Sequence, residues 1–317
     1  MRAYIVRRLL ALIPTLLFAS VIVFVTVRLI PGDVIDMMLS QNDIGAEKLS
    51  RAQLEHVLGF DRPMLQQFGV WIFGILRGDF GNSLWRSTPV LDDLLQRLPV
   101  TFELGLLALL VALSIALPIG IYSAVRQDTA GDILARSFSI LLLAVPSFWL
   151  GTMVVVFPSI WWGWSPEVNY VPFGTDPLQN LKQMIVPAIV LGAALSAVTM
   201  RLTRTMMLEV LRQDYIRTAW AKGLPEQLVV RRHALRNALI PVVTLVGLQA
   251  PLLIGGAVII EQIFVIPGMG SLLLEAVNQR DYPVITGVFL VVGVAVMLIN
   301  LIVDLSYGLL DPRVRHR

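Results

Sequence analysis

The stretch DYIRTAWAKGLPEQLVVRRHALRNALIP, Asp214–Pro241, is basic and polar, yet it lies between strongly apolar runs. Tyr215, Ile216, Ala219 and Leu224 recur about one helical turn apart while Arg217 and Lys222 project elsewhere, which predicts a short amphipathic helix. Gly223 ends that helix. The proline that follows Leu224 biases it out of the α region, and Pro225 with Glu226 suits the first turn of a new helix. The expectation is helix, sharp turn, helix, forming a platform outside the membrane and not part of a pore. By charge alone, a basic loop between apolar spans equally satisfies the enrichment of Lys and Arg on the cytoplasmic side.

The rest of the 317-residue chain is the medium in which that platform sits. Hydrophobic residues make up 56% and charged residues only 15%, and the mean hydropathy of +0.75 is far above that of a soluble domain. The chain belongs in lipid. It has no cysteine, which excludes disulfides, thiolate metal sites and cysteine nucleophiles. The net charge of +3 does not point to nucleic acid, because arginine clusters beside apolar spans follow from membrane orientation.

Arg2, Arg7 and Arg8 precede an uncharged run from Leu9 to Val27 that is long enough to cross a bilayer. It exceeds a signal-peptide core and ends in no small-x-small site, so a retained first helix is expected. Pro31 and Gly32 break it. Between residues 33 and 100, Glu47–Leu58 has amphipathic spacing, and Gln67–Leu76 is apolar but too short to span, as for a segment on the membrane face. Further spans are expected at Leu104–Val125, Ser137–Pro158, Gln183–Met200, Ala238–Ile260 and Pro283–Val303, with Trp161, Trp162 and Trp164 at an interface. That makes an all-α membrane protein of six helices. Basic residues concentrate before the first span, at Arg126 and Arg136, between Arg201 and Arg236, and after Tyr307, whereas the two short opposite loops hold only Lys182 and Arg280. Both termini are therefore expected in the cytoplasm. Pro118, Pro146, Pro187, Pro241, Pro251 and the Gly255-Gly256 pair fall inside spans, where they serve ordinary helix packing or allow kinks that change access.

No GxxxxGK[ST] phosphate loop occurs, so no ATP or other cofactor is expected on this chain. His56, His233 and His316 are scattered, without metal-ligand spacing or a catalytic triad. An ion-coupled secondary transporter is the alternative. It needs an ionisable group near the membrane centre, whereas Arg28, Glu103, Arg201, Glu261 and Asp304 all fall near span ends, within reach of water or headgroups. An intramembrane enzyme lacks an assembled motif, and six spans exceed what a simple anchor requires.

Asp214–Pro241 resembles the EAA loop of the membrane subunits of ATP-driven importers. Ala219, Gly223 and Leu235 match the general pattern, while Arg217 and Thr218 replace its Glu-Ala, His233 its isoleucine and Arg236 its proline. The variant TAWAKG followed by RHALRNALIP is similar to that of dipeptide, oligopeptide and nickel permeases. The opening MRAYIVRRLLALIPTLLFASVIVF with RLIPGD resembles the same group, as do FGNSL at Phe80–Leu84, RLPVTFELGLLAL at Arg97–Leu109, and GGAVIIEQIFVIPGMGSLLLEAVNQRDYPVI at Gly255–Ile285. The residues themselves assign FGNSL no physical role.

The resemblance implies one permease domain over residues 1–317, in the cell inner membrane. It comprises a first helix at 1–30, an extracytoplasmic segment at 31–100, and a five-helix core at 101–310 carrying the coupling loop 204–238. It implies partners: a second homologous permease, two ATP-binding cassette subunits that hold ATP and Mg²⁺, an extracytoplasmic solute-binding protein, and a peptide or similar solute. Coupling to the ATPase falls to Tyr215, Ile216, Arg217, Thr218, Ala219, Lys222, Gly223 and Leu224. Pro267, Gly268 and Gly270 are expected to make a tight turn beside a re-entrant or surface helix at the outer gate. Candidates for the translocation path or that gate are Phe148, Trp149, Glu261 and Asp281, the two acids being expected as solvated loop charges.

Overall fold

The structure, a computed structural model, describes residues 2–29, 35, 51–57, 59 and 61–310. The expected break at Pro31-Gly32, part of the Glu47–Leu58 segment and the basic tail after Leu310 lie outside the described residues. The protein is all-α, and among the described residues no strand forms. Eleven helices are named here: α1 (Arg2–Arg28), α2 (Arg51–Val57), α3 (Met64–Leu76), α4 (Val90–Val125), α5 (Ala130–Ala144), α6 (Ser147–Trp162), α7 (Pro177–Leu211), α8 (Asp214–Ala221), α9 (Glu226–Ile263), α10 (Met269–Gln279) and α11 (Tyr282–Leu310).

Five of them, α1, α4, α7, α9 and α11, are long and apolar enough to cross a membrane, and the pair α5 and α6, bent by 93°, has the composition of a sixth, either a broken span or a re-entrant loop. The expected straight span Ser137–Pro158 is thus broken. Val145 takes φ −91° and ψ 120° before Pro146, the extended conformation that a residue preceding proline prefers. Three spans, α4, α7 and α9, also run well beyond their apolar gaps. The 36 residues of α4 reach about 54 Å at 1.5 Å per residue, against a hydrocarbon core of about 30 Å. Asp92 and Asp93 sit in its first turn, where carboxylates favour a helix N-terminus. Helix α7 starts on Pro177, capped by Asp176, whose carboxylate accepts the N–H groups of Leu178 and Gln179.

The described residues form two compact units. One contains those of Val100–Gly270 and Leu298–Arg317, the other those of Arg2–Pro99 and Ser271–Met297. In the first, Leu104 and Ala108 of α4, Met184, Ala188 and Leu191 of α7, and Leu253, Ala257 and Ile260 of α9 form a continuous apolar core. Small residues let the backbones close up: a Cβ on Gly192 would strike the Ala108 carbonyl oxygen.

In the second unit, Phe24 of α1 meets Phe68 and Trp71 of α3 with ring centroids 5.2 and 5.6 Å apart. Helix α3 exposes Leu65, Val70, Phe73 and Leu76, in keeping with a helix lying on a membrane face. The segment Phe80–Leu84 has a physical role after all. Gly81 turns at φ +77°, the Ser83 hydroxyl donates to Asp281 Oδ2 at 2.5 Å, and the Leu84 N–H donates to the same oxygen at 3.2 Å. The Trp85 indole donates to the Gln279 carbonyl at 2.6 Å. FGNSL is therefore the docking loop for the turn that precedes α11.

Candidate functional site

Helix α8 ends as its sequence requires. The Gly223 N–H donates to the Trp220 carbonyl at 2.9 Å and the Leu224 N–H to the Ala219 carbonyl at 3.4 Å, the paired bonds of a Schellman cap. Gly223 has φ +77°, the left-handed conformation that makes glycine the economical residue there. Pro225, in extended conformation, caps the start of α9, whose Val229–Ala234 turn is π-helical before regular α geometry resumes at Leu235. The π turn inserts a residue's worth of twist, and Arg231 and Arg232 stand exposed on it.

The amphipathic reading of α8 resolves into two faces. Ile216, fully buried, and Ala219 enter a cluster with Ala124 at the end of α4, Met207 of α7, and Val229, Val230, Ala234 and Ala238 of α9; Leu224 packs against it. Burying Ile216 is worth roughly 1.5–3 kcal/mol. Arg217, Thr218, Lys222 and Gly223 are exposed. Tyr215, expected on the apolar face, is 43% exposed; its hydroxyl accepts from Asn237 Nδ2 at 2.8 Å and faces the His233 carbonyl at 3.4 Å, joining α8 to α9. Trp220 was not singled out by the sequence reading, yet it is 44% exposed on a polar helix. Nothing in the spacing marked it: Trp220 follows Ile216 by four residues, on the same side of the helix, where spacing alone predicts burial.

A second group supports this platform. Asp132, at the start of α5, is buried. Arg204 of α7 donates to it from Nε at 2.8 Å and Nη2 at 2.9 Å, the Asp128 N–H donates at 3.0 Å, and the Ser123 hydroxyl also donates. Arg136 is 3.5 Å away. This arrangement ties the α4–α5 turn to α7 next to the cluster that receives Ile216. Arg126 and Glu226 add a half-exposed pair at 3.4 Å, worth little by itself.

The four path or gate candidates divide. Phe148 and Trp149 are exposed on the first turn of α6. Glu261 and Asp281 are not solvated loop charges: they are 0% and 1% exposed. Glu261, in the last turn of α9, accepts the Thr101 hydroxyl at 2.5 Å and the Gly270 N–H at 2.7 Å, while Thr101 Oγ1 accepts the Met269 N–H at 2.7 Å. Its carboxylate thus sits on the N-terminus of α10, where the helix dipole and free N–H groups stabilise negative charge. Asp281 immediately precedes α11 and holds Ser83 and Leu84 as described above. The tight turn expected at Pro267, Gly268 and Gly270 falls earlier, at Phe264–Val265 with Val265 at φ +56°, and Gly270 is already part of α10.

Glu103 also departs from the expectation of a water-exposed span end. Oε2 accepts from the Tyr170 hydroxyl at 3.0 Å and Oε1 is buried. Tyr170, in the loop between α6 and α7, has its phenol pushed up to about 12, first by burial and then by the Glu103 charge.

Comparison with known proteins follows the same lines. Residues 116–316 match the family described as "Binding-protein-dependent transport system inner membrane component", and residues 1–105 match "Binding-prot-dependent transport system membrane comp, N-term". The chain is 40% identical over 316 residues to a putative peptide transport system permease protein of Brucella abortus (strain 2308), covering 100% of both chains. It is 39% identical over 340 residues to the dipeptide transport system permease protein DppB of Escherichia coli (strain K12), again covering 100% of both. It is 38% identical over 337 residues to the di/tripeptide transport system permease protein DppB of Pseudomonas aeruginosa (strain UCBPP-PA14), also covering 100% of both. Among solved structures, the inward-facing MetNI methionine ABC transporter aligns with TM-score 0.56 and 17% identity over 69% of this chain and 96% of that one, a likeness of fold.

Proposed function

Because the chain belongs to the family of binding-protein-dependent transport system inner membrane components, it is a membrane subunit of an ATP-driven importer, and we propose that it forms the path of a peptide or similar small solute. The peptide class rests on relatives named for peptide, dipeptide and di/tripeptide transport that align over the whole chain. Both termini and the Asp214–Pro241 platform face the cytoplasm, on the distribution of Lys and Arg. The working assembly pairs this chain with a second homologous permease, two ATPase subunits and an extracytoplasmic solute-binding protein. ATP and Mg²⁺ belong to the ATPases, and this chain binds no cofactor.

The observation that carries the coupling role is the two-faced seating of α8. Ile216 and Ala219 are packed among the ends of α4, α7 and α9, while Tyr215, Arg217, Trp220 and Lys222 stand outward for a partner. A close-packed contact does not absorb a displacement, so a push on the outward face moves the spans that hold the inward one. The buried Glu261 does not favour an ion-coupled carrier, because hydrogen bonds from Thr101 and the start of α10 already satisfy its charge.

Purification in mild detergent with mass spectrometry of bound proteins tests the assembly. A second six-span protein and Walker-motif ATPases are expected. Recovery of the chain alone, transporting in liposomes without ATP, would refute it.

A further inference from the structure

The second unit contains a cavity of about 400 Å³ at the C-terminal end of α1, walled by Arg28, Gln67, Trp71, Asp79 and Tyr282 among others. Arg28 is half-buried, its Nε and Nη2 both donate to Gln67 Oε1 at 3.1 and 2.8 Å, and the guanidinium lies 3.6 Å from the Phe24 ring centroid. Among the described residues, no carboxylate pairs with it and Nη1 makes no hydrogen bond. On the same wall the Trp71 indole N–H is buried without an acceptor. Two donors line one cavity, a cation whose single acceptor is the neutral Gln67 oxygen and an indole N–H that has no acceptor. Leaving such groups unmatched is costly, and a group rich in acceptor oxygens removes the cost.

We propose that this cavity binds the phosphodiester of a membrane phospholipid, with Arg28 and Trp71 as its donors. A phosphodiester presents anionic oxygens and no donor, and guanidinium groups hold such anions through paired N–H bonds. Asp79 lines the same cavity, and its Oδ1 accepts the Gly81 N–H at 2.9 Å. Its other oxygen suits the ammonium of an ethanolamine headgroup, so the ligand class is a zwitterionic phospholipid. A free dipeptide carries the same two charges. Placement favours the lipid: Phe18, Val21, Val25 and Leu29 of the adjoining span and Leu65 and Phe73 of α3 are exposed apolar side chains, a surface for acyl chains beside a pocket for the headgroup.

The test uses the whole importer complex in nanodiscs containing equal amounts of phosphatidylethanolamine and phosphatidylglycerol, followed by native mass spectrometry after detergent stripping. One retained phosphatidylethanolamine is expected on the wild type. Arg28→Gln reduces its occupancy by about tenfold or more, the scale of losing a charged hydrogen bond. Trp71→Phe keeps the ring packing, removes only the N–H and lowers occupancy several-fold, which covers the case in which Arg28→Gln fails to fold. Asp79→Asn shifts retention towards phosphatidylglycerol. Equal lipid retention by the wild type, Arg28→Gln and Trp71→Phe would overturn the site. A wild type that holds no lipid but retains an added dipeptide, in an Arg28-dependent manner, would overturn the lipid as its source.

Discussion

Arg204 and Asp132 meet as a two-pronged pair, guanidinium Nε and Nη2 on the two carboxylate oxygens at 2.8 and 2.9 Å, although 72 residues separate them. The acid is fully buried and the arginine is largely so. Removing one partner strands a buried charge, which typically costs about 3–5 kcal/mol. Arg204→Gln or Asp132→Asn alone should therefore lower the thermal stability of the detergent-purified protein sharply. The double variant Asp132→Asn with Arg204→Gln should recover much of the loss, because no buried charge remains. Additive losses in that cycle would show that the pair is not coupled.

At Gly223 the constraint is backbone conformation and not space. No atom lies within 4 Å of an added Cβ, but φ is +77°. Gly223→Ala should cost about 1–2 kcal/mol, Gly223→Asn less, and Gly223→Val more, because branching at Cβ crowds the left-handed region. Uptake by proteoliposomes should fall in the same order while total protein in the membrane changes less. Normal uptake by Gly223→Val would sink this account of the turn.

The two faces of α8 should separate under substitution. Ile216→Ala empties a filled site and should destabilise the protein by about 2–5 kcal/mol. Trp220→Ala touches an exposed indole and should leave the melting temperature nearly unchanged. It should weaken capture of the ATPase by about 2 kcal/mol or more if Trp220 anchors that contact, roughly a thirtyfold loss in affinity. Pull-down of the ATPase at graded concentrations, alongside a melting curve, distinguishes the two.

Glu261 offers a test of energy source. If it carried a coupling ion, Glu261→Gln would abolish a proton- or sodium-dependent component of uptake. The hydrogen-bond set predicts a structural effect instead: lower stability, from facing an amide N–H₂ towards donors that need an acceptor, and uptake that depends on ATP before and after the change. Gly268→Ala should mimic the stability loss, since a Cβ there would collide with the Glu261 carboxylate.

Much of this protein is written in local pattern. Uncharged runs of bilayer length marked five of the spans, because the cost of leaving backbone or charge in hydrocarbon is set residue by residue. The end of α8 at Gly223 was legible for the same reason: a helix stop depends on one residue's φ and its next two neighbours. Pro146 was legible only as one of several prolines inside spans, serving packing or a kink; the 93° bend between α5 and α6 appears only in the tertiary structure.

Other features had no local sign. Glu261 and Asp281 look like loop acids in the sequence because their partners, Thr101 and Ser83, lie 160 and 198 residues away. Charge near a span end predicts solvation when those neighbours are unknown, and burial when they supply donors. Helical spacing likewise placed Ile216 and Ala219 on one face, but the outward turn of Trp220 and the use of Tyr215 as a bridge to Asn237 depended on where α4, α7 and α9 end. The sequence by itself determined which segments enter the membrane and where the platform helix stops, since both are governed by solvation and backbone conformation over a few residues. Only the tertiary structure decided which polar groups are buried and which faces remain open, because those depend on contacts made across the chain.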